Sequence, residues 1–160
     1  MTVSHKEVDL AYAAGIIDGE GCITITEHKG KDGIGHSTYF LRCLVSMNDY
    51  NIIEWLHSTF TLGSVYMIKD KRLTTRKTCW CWNVGGSKCG NFLELVLPYL
   101  KLKQPQAKLG IKFQQHRQTH RPFKPLNEDE MAQAIDNFNQ MRRLNINGRG
   151  TGRFTMPPNF

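Results

Sequence analysis

The chain has 160 residues, which suits one domain with a hydrophobic core and is short for two domains. Its 21 lysine and arginine residues against 14 aspartate and glutamate residues give a net charge of +7. This balance favours a polyanionic partner, and nucleic acid ranks ahead of a membrane because the sequence has no amphipathic basic helix and no long apolar run. Charge alone also fits a basic protein without a special partner.

The first residues of the chain and its cysteines indicate the expected cellular compartment. Residues 1–6 lack the apolar segment of a secretory signal, so we expect an intracellular protein, in a cytoplasm or an organelle and not secreted. Five cysteines, an odd number without a CxxC pair, predict reduced thiols. Zinc held by Cys79 and Cys81 with His28 or His36 is an alternative, but cysteines two apart on a strand more often only share a face.

The first predicted element is a helix over residues 7–19. Its core-facing side has apolar residues at i, i+3, i+4 and i+7, namely Leu10, Ala13, Ala14 and Ile17. On the opposite side Ala11, Gly15 and Gly19 repeat every four residues and leave a smooth groove. Because a glycine inside a helix costs about 0.5–1 kcal/mol relative to alanine, this groove predicts a second backbone packed closely against it.

Two acids end this helix, Asp18 and Glu20, and Gly21 permits the turn that follows. The helix macrodipole disfavours carboxylates at a C-terminus. We therefore expect these acids to have a partner, and a cation is the obvious one.

Residues 22–28 and 38–45 alternate between apolar and polar side chains, which is the period of half-buried strands. A glycine-rich, charged loop at 29–36 lies between them and predicts a hairpin. The inward face of the hairpin is predicted to carry Ile23, Ile25, Tyr39, Leu41, Cys43 and Val45.

A second helix and a second hairpin follow. Asp49 is the predicted N-cap of the helix, which stops near Gly63. Strands at 65–69 and 77–84 then flank a basic connection, and Trp82 with its neighbours two residues away faces the core.

The last part of the chain is predicted to be helical. Ser87 is a candidate cap for a helix that ends at Pro98, and Pro105 suits the first turn of the next helix. Asn127 can cap a final helix. Beyond Asn145 a glycine- and arginine-rich tail is either a disordered end or a phosphate contact made on binding.

Three segments carry a resemblance to a known family. The run at 13–21, Ala-Ala-Gly-Ile-Ile-Asp-Gly-Glu-Gly, resembles the LAGLIDADG motif of homing endonucleases, with Glu20 in place of its second Asp and Ala13 in place of its leading Leu. Asn-Asp-Tyr at 48–50 and the apolar helix after it look like the family's second helix. The segment at 98–107 is similar to the family's late PYLxxKxxQA segment.

The resemblance implies an α/β (α+β) fold, with an αββαββα core, a curved antiparallel sheet and extra C-terminal helices. The core would span about residues 7–120 of a single domain, and a helix with a basic tail would occupy 121–160. One copy of the motif implies a homodimer whose first helices pack across a two-fold axis. The implied interface residues are Ala11, Gly15, Asp18 and Gly19, with Asp18 capping or supporting the partner's helix end.

By the same resemblance the protein is a homing endonuclease, associated with an intron or an intein, that makes a metal-dependent double-strand break in a long pseudo-palindromic DNA target. Breaking a phosphodiester needs an activated water, relief of phosphate charge and a stabilised leaving oxygen, and Mg²⁺ can supply all three. Mg²⁺ takes oxygen ligands. Glu20 is implied as the metal-binding acid, with the Gly19 carbonyl beside it, and no small-molecule cofactor is expected.

Two further residues complete the predicted catalytic set. Lys103 matches the basic residue that the family places near the scissile phosphate, and an ordinary solvated lysine is the alternative. Where many family members have a Gln that positions water, this chain has Met47, which cannot do so. Asn48 or Ser46 is the expected substitute, and the predicted catalytic residues are Glu20, Lys103 and Asn48.

Sequence readout is expected from the sheet face opposite the core, because a two-stranded ribbon fits the major groove and presents alternate side chains to base edges. This predicts DNA contacts from Thr24, Thr26, His28, Thr38, Phe40, Arg42, Lys77, Cys79, Cys81 and Asn83. In the third strand either Tyr66, Ile68 and Asp70 or Lys69 and Lys71 face the DNA, and we favour the two lysines.

A different class of function is compatible with the same family. A non-cleaving LAGLIDADG protein acts as an RNA-splicing maturase or as a DNA-binding regulator. The presence of Glu20 argues against that class. A basic structural protein with a chance motif is hard to reconcile with three family segments in order.

Overall fold

The structure is a computed structural model that describes residues 6–29, 37–68, 78–118 and 126–147. The helices and strands of these residues are α1 (Glu7–Glu20), β1 (Gly21–His28), β2 (Thr38–Met47), α2 (Tyr50–Phe60), β3 (Ser64–Ile68), β4 (Cys79–Gly85), α3 (Gly86–Val96), α4 (Gln104–Gln118) and α5 (Glu128–Asn147). A 3₁₀ turn, Leu97–Tyr99, lies between α3 and α4. The predicted order of helices and strands is confirmed.

The four strands form one antiparallel sheet in the order β1-β2-β4-β3. Ile23 of β1 lies opposite Cys43 of β2, and Val45 of β2 lies opposite Trp82 of β4. Residues that lie opposite one another point to the same face of a sheet. The inward residues predicted for the first hairpin are all buried, namely Ile23, Ile25, Tyr39, Leu41, Cys43 and Val45.

Helices cover this inner face and form the core with it. α3 and α4 pack against β2, and α5 packs against β1. Trp82 meets Phe92 of α3 edge to face, with ring centroids 5.2 Å apart, and its indole N–H donates to the Leu62 carbonyl at 2.8 Å. At the outer edge of β1, the Asn145 amide of α5 donates to the Ile23 carbonyl at 3.0 Å.

Two predicted helix caps are confirmed. The Asp49 carboxylate accepts a hydrogen bond from the Asn51 amide at 2.9 Å at the start of α2. At the start of α5, Asn127 accepts from the Glu130 amide at 2.8 Å, and Glu130 accepts from the Asn127 amide at 2.9 Å. This reciprocal pair is a capping box.

The predicted cap of α3 is wrong. Gly85 occupies the N-cap position, and no side chain makes a capping hydrogen bond there. α3 begins at Gly86, whose φ of +62° lies in the left-handed region that glycine adopts without strain. The glycine pair therefore shapes this turn, and Ser87 lies inside the helix. Pro105 lies in the first turn of α4, as predicted.

Some predicted segments lie outside the described residues. They are the tip of the first hairpin at 30–36, the basic connection of the second at 69–77, the linker at 119–125 and the tail from 148 onward. Within the described residues, no helix is both long enough and apolar enough to span a lipid bilayer.

Candidate functional site

The outer face of the sheet carries the predicted DNA-reading residues. Thr38, Phe40 and His28 are exposed at one end of it, and Thr24, Thr26, Arg42, Cys79 and Asn83 are half-buried along it. Cross-strand register aligns these side chains, since Thr24 lies opposite Arg42 and Thr26 opposite Phe40. Eight of the residues named for this face thus lie on it and are exposed or half-buried, and their contacts with DNA stay a prediction. Lys69, Lys71 and Lys77 lie outside the described residues.

Cys81 is a correction to that prediction. It points to the outer face but is only 1% exposed, so its side chain is not available to a base edge. Tyr66 lies opposite it on β3 and hydrogen-bonds to it. This hydrogen bond, and then burial, raise the pKa of the Tyr66 phenol above its ordinary value. The 43% exposed Tyr66 is thus the accessible group at this point of the sheet.

The register also resolves the third strand. Tyr66 pairs with Cys81 and Ile68 with Cys79, so these two β3 residues share the outer face. Val65 and Met67 pair with the inward-facing Trp82 and Trp80. In the described part of β3, the outer face is therefore presented by Tyr66 and Ile68, and the preference for Lys69 and Lys71 stays a prediction.

A basic and aromatic cluster lies where β2 extends beyond β4. The edge of the His28 ring meets the Phe40 ring at a centroid distance of 5.2 Å, and the Arg42 guanidinium lies 3.5 Å from the His28 Nε2. Arg117 of α4 places its guanidinium 5.6 Å from the Phe40 centroid and donates to the Tyr39 carbonyl at 2.8 Å. Sequence patterns gave no signal for Arg117, because its contacts are set by how α4 packs.

An open depression of about 310 Å³ lies at the other end of the outer face. It is lined by Glu20, Ser46, Met47, Asn48 and Cys79. The lining follows from the register, since Gly21 lies opposite Val45 and Ser46 opposite Cys81, which sets the end of α1 beside the end of β2. The structure thus brings Glu20 and Asn48 together, as the predicted catalytic set requires.

Asp18 interacts with its own chain. Its carboxylate accepts from the backbone amides of Lys101, Leu102 and Lys103 at 2.6, 3.2 and 2.9 Å. Burial by itself would raise the pKa of the Asp18 carboxyl, but these amide bonds together with the Lys103 charge hold the pKa below its ordinary value. Within its own chain, Asp18 therefore caps the turn that leads into α4, and its expected role in capping or supporting the partner's helix end stays a prediction.

Lys103, in the turn before α4, in turn binds the end of α1. Its ammonium donates to the carbonyl oxygens of Ile17 at 2.8 Å and of Asp18 at 2.5 Å, in the last turn of α1. These carbonyls belong to the helix end whose acceptors lack partners within the helix. A cation at this end also opposes the macrodipole. Lys103 thus supplies a cation beside Asp18 and the carbonyl end of α1.

Among the described residues, nothing lies close enough to the exposed glycines of α1 to require glycine there. A Cβ added at Gly15 or Gly19 would meet nothing within 4 Å. At Gly21, by contrast, a Cβ would lie 2.7 Å from the Ile17 Cα, so glycine is needed there for the turn. Val8, 76% exposed, and Tyr12, 50% exposed, lie on the same open side of α1.

Comparison with known proteins gives a consistent result. No family model matches the sequence. The homing endonuclease I-CvuI, solved in complex with a DNA target, superposes with a TM-score of 0.71 at 20% identity, over 94% of this chain and 88% of that one. The archaeal intron-encoded homing endonuclease I-Vdi141I, solved with DNA, gives 0.70 at 12% identity, over 94% and 90%. The LAGLIDADG homing endonuclease I-LtrWI, bound to target DNA, gives 0.67 at 15% identity.

The fold is that of the LAGLIDADG homing endonucleases. The match to I-LtrWI covers 88% of this chain but only 46% of that one, so one copy of this chain corresponds to about half of that protein. In the LAGLIDADG fold of this chain, the motif helix is α1, and Glu20 lies at its C-terminal end. No three His, Cys, Asp or Glu side chains of the described residues come together as a metal cluster.

Proposed function

We propose that the protein is a site-specific DNA endonuclease that acts as a homodimer and makes a metal-dependent double-strand break in a long pseudo-palindromic DNA target. The observation that carries the proposal is the depression that Glu20 and Asn48 share at one end of a polar sheet face. The net charge of +7 suits a polyanionic substrate. I-CvuI, I-Vdi141I and I-LtrWI, which share the fold, were all solved with DNA.

The donor set suits Mg²⁺. One chain offers the exposed Glu20 carboxylate, with the Gly19 carbonyl next to it, and Mg²⁺ is commonly held by one or two carboxylates together with substrate phosphates and water. A second copy of the chain would supply a second Glu20, one for each DNA strand. When bound, a divalent ion activates water and offsets phosphate charge. I-CvuI was studied in the presence of 2 mM Mg with uncleaved DNA and of 2 mM Ca with its target.

The other residues that line the depression can position the attacking water near the phosphate. Asn48 carries both an amide donor and a carbonyl acceptor, so it can orient an attacking water. Ser46, beside it, offers a hydroxyl as the alternative. Met47 lines the same depression and packs against the core, which leaves the positioning of water to its two neighbours.

Base readout is assigned to the outer sheet face. Arg42 can donate two hydrogen bonds to a guanine edge, the commonest specific contact in the major groove. Thr24 and Thr26, in the rows beside it, offer hydroxyls that serve as donor or acceptor. Tyr66 of the edge strand β3 replaces Cys81 as a reader of bases, because the thiol is covered.

The homodimer rests on the open side of α1. Glycine at 15 and 19 destabilises a helix, and the part of the chain that the structure describes gives no compensating contact. A second α1 packed against Ala11, Gly15 and Gly19 would supply it, and Val8 and Tyr12 would lose their exposure at the same time. Two active centres related by a two-fold axis match a pseudo-palindromic target.

The test is to incubate the purified protein and Mg²⁺ with a library of plasmids that carry random inserts, and to sequence the cut ends. We expect one family of related sites with approximate two-fold symmetry. Sequence-selective binding without cutting would instead support the non-cleaving regulator or maturase, with RNA binding separating those two. Cutting without any sequence preference would contradict the proposal.

A further inference from the structure

A cavity of about 210 Å³ lies between α4 and α5. Its described lining comes from the end of α4, the start of α5 and Leu126, and it differs throughout from that of the depression at Glu20. We propose that this cavity is a binding site for the adenine ring of a free base or nucleoside. The inference goes beyond the proposed nuclease function and does not depend on it.

Part of the lining is apolar and belongs to the hydrophobic core. Phe113 is 2% exposed and Ala134 is 6% exposed, and the half-buried Leu126 packs against the same core. An engineered apolar cavity of about 150 Å³ in another protein holds a benzene ring. The larger volume between α4 and α5 therefore accommodates a flat ring system somewhat larger than benzene.

The second feature of the cavity is a buried amide. Asn137 is 4% exposed and lines the cavity, and no described residue forms a hydrogen bond with its side chain. Buried polar groups are seldom left without a partner, because an unsatisfied one costs free energy. A ligand in the cavity can supply this partner. Since an amide has both donors and an acceptor, the matching ligand carries a donor and an acceptor side by side.

Arg117 supplies further donors to the lining. Its guanidinium donates through Nη1 to the Tyr39 carbonyl at 2.8 Å and lies 5.9 Å from the centroid of the Phe113 ring. A guanidinium has five N–H donors, so this bond leaves others for a ring nitrogen of the ligand. The same guanidinium lies 5.6 Å from the Phe40 centroid, which joins the cavity to the basic and aromatic cluster of the outer sheet face.

The charges of the lining favour a neutral ligand. Glu130 brings a carboxylate to the cavity that also receives the Arg117 guanidinium. A buried phosphate would meet the carboxylate, and a buried cation would meet the guanidinium, so either charge would be costly to enclose. Adenine is neutral, flat and bicyclic. Its N6 donor and N7 acceptor match an asparagine amide, and its N3 accepts an N–H, so it fits all three features.

The experiment titrates adenine, adenosine and indole into the full-length, ¹⁵N-labelled protein without DNA or a metal ion. NMR spectra follow the side-chain amide of Asn137 and the backbone amides of α4 and α5. Indole is the matched control for the ligand, because it is also a flat bicycle but lacks a neighbouring donor and acceptor. Circular dichroism checks that each variant is folded.

Three variants test the place of binding. N137L removes the amide and keeps a side chain of similar length, whereas A134L fills the cavity from its apolar side. N139L is the matched control, because it makes the same change at an exposed residue of α5 outside the described lining.

We expect adenine and adenosine to shift the Asn137 side-chain signals in a saturable way. Indole should bind about tenfold more weakly or less, since a bidentate asparagine–adenine pair is worth about tenfold or more in affinity. N137L should weaken adenine binding by a similar factor, A134L should abolish it, and N139L should match the wild type.

Unshifted Asn137 signals at millimolar adenine would overturn the site and leave the cavity to water. Equal affinity for indole would overturn the assignment to adenine, and so would adenine binding that N137L and A134L both leave unchanged. A trinucleotide of deoxyadenosine that bound far more tightly than adenosine would overturn the free base or nucleoside as the source of the ring. If N137L does not fold, A134L and the indole comparison still decide. Because no DNA is cut in this experiment, its outcome is separate from that of the nuclease test.

Discussion

Tyr66 and Cys81 face each other across the β3–β4 ladder on the outer sheet face, where Cys81 is 1% exposed and Tyr66 is 43% exposed. Cys81 is thus buried although its position on the strand faces outward. The Tyr66 phenol is the accessible side chain at this point. This pair therefore decides which side chain a ligand of the outer face would meet.

Tyr66→Ala should uncover Cys81. In the wild type we expect iodoacetamide to label the exposed Cys22 quickly and Cys81 hardly at all, and the variant should raise the labelling of Cys81 to a rate near that of Cys22. Mass spectrometry of the digested protein measures both sites at once. Ile68→Ala, two residues along the same face, is the control. Rapid labelling of Cys81 in the wild type would contradict the covered thiol.

Gly15→Leu should prevent dimerisation, because the added side chain would separate the two α1 helices. A second variant, Gly15→Ala, distinguishes an effect on the stability of the subunit from an effect on dimerisation. Since its Cβ would meet none of the described residues within 4 Å, alanine should stabilise an isolated subunit by about 0.5–1 kcal/mol through helix propensity while weakening the dimer. Light scattering at micromolar concentration and urea unfolding separate the two effects. A monomeric wild type would refute the dimer.

Arg42→Ala should change which bases are preferred in each half-site, since a bidentate arginine–guanine contact is worth about 1–3 kcal/mol of discrimination. Arg143→Ala, which removes an exposed arginine of α5, should leave the preference unchanged. Binding selection from a random DNA pool measures both. If Arg42→Ala weakened all sequences equally, the residue would be a phosphate contact.

Glu20→Gln should abolish cleavage and leave DNA binding intact. The amide keeps the size of the side chain but loses the charge that Mg²⁺ needs, whereas base and phosphate contacts come from the sheet. Ca²⁺ in place of Mg²⁺ should likewise give binding without cutting by the wild type. Glu128→Gln, an exposed acid of α5, is the control for loss of one charge. A gel shift measures DNA binding, and a cleavage assay on the same DNA measures cutting. Continued cutting by Glu20→Gln would show that Glu20 is not a metal ligand.

Asp18 predicts a dependence of stability on acid pH. Its pKa in the folded protein lies below the ordinary value of 3.8, so the ionised carboxylate stabilises the fold at neutral pH. That contribution is complete above pH 3.8 and is lost as the pH falls through the lower folded-state pKa. Urea unfolding of the wild type and Asp18→Asn should therefore differ at pH 7 and converge toward low pH. A constant difference at all pH values would show that the carboxylate charge is not responsible.

Sequence periodicity was sufficient for the first hairpin. Alternation from Ile23 to Val45 identifies the buried face because each strand is half-buried and a shift by one residue would exchange its faces. Asp49 and Asn127 were predictable for a similar reason, since a cap bonds only within its own turn. Local rules thus predict local structure.

The remaining features depend on residues far apart in the chain. Asp18 meets the amide of Lys103 across 85 positions, and only the packing of α1 against the turn before α4 brings them together. In β3 the lysines were favoured because Val65 and Met67 suit the core, and the face of Tyr66 and Ile68 could be assigned only from the ladder with β4. Burial of Cys81 required a neighbouring strand that the pattern of β4 alone does not show.

The hydrogen bond from Asn145 to Ile23 has a consequence for solubility. β1 is the first strand of the sheet, and an edge strand offers free carbonyl and amide groups to any passing extended chain. α5 lies along that edge, and its asparagine occupies one of the free carbonyls. Removal of α5 should therefore expose the edge of β1 to pairing with strands of other molecules. We expect the truncated protein to form β-rich aggregates that bind thioflavin T.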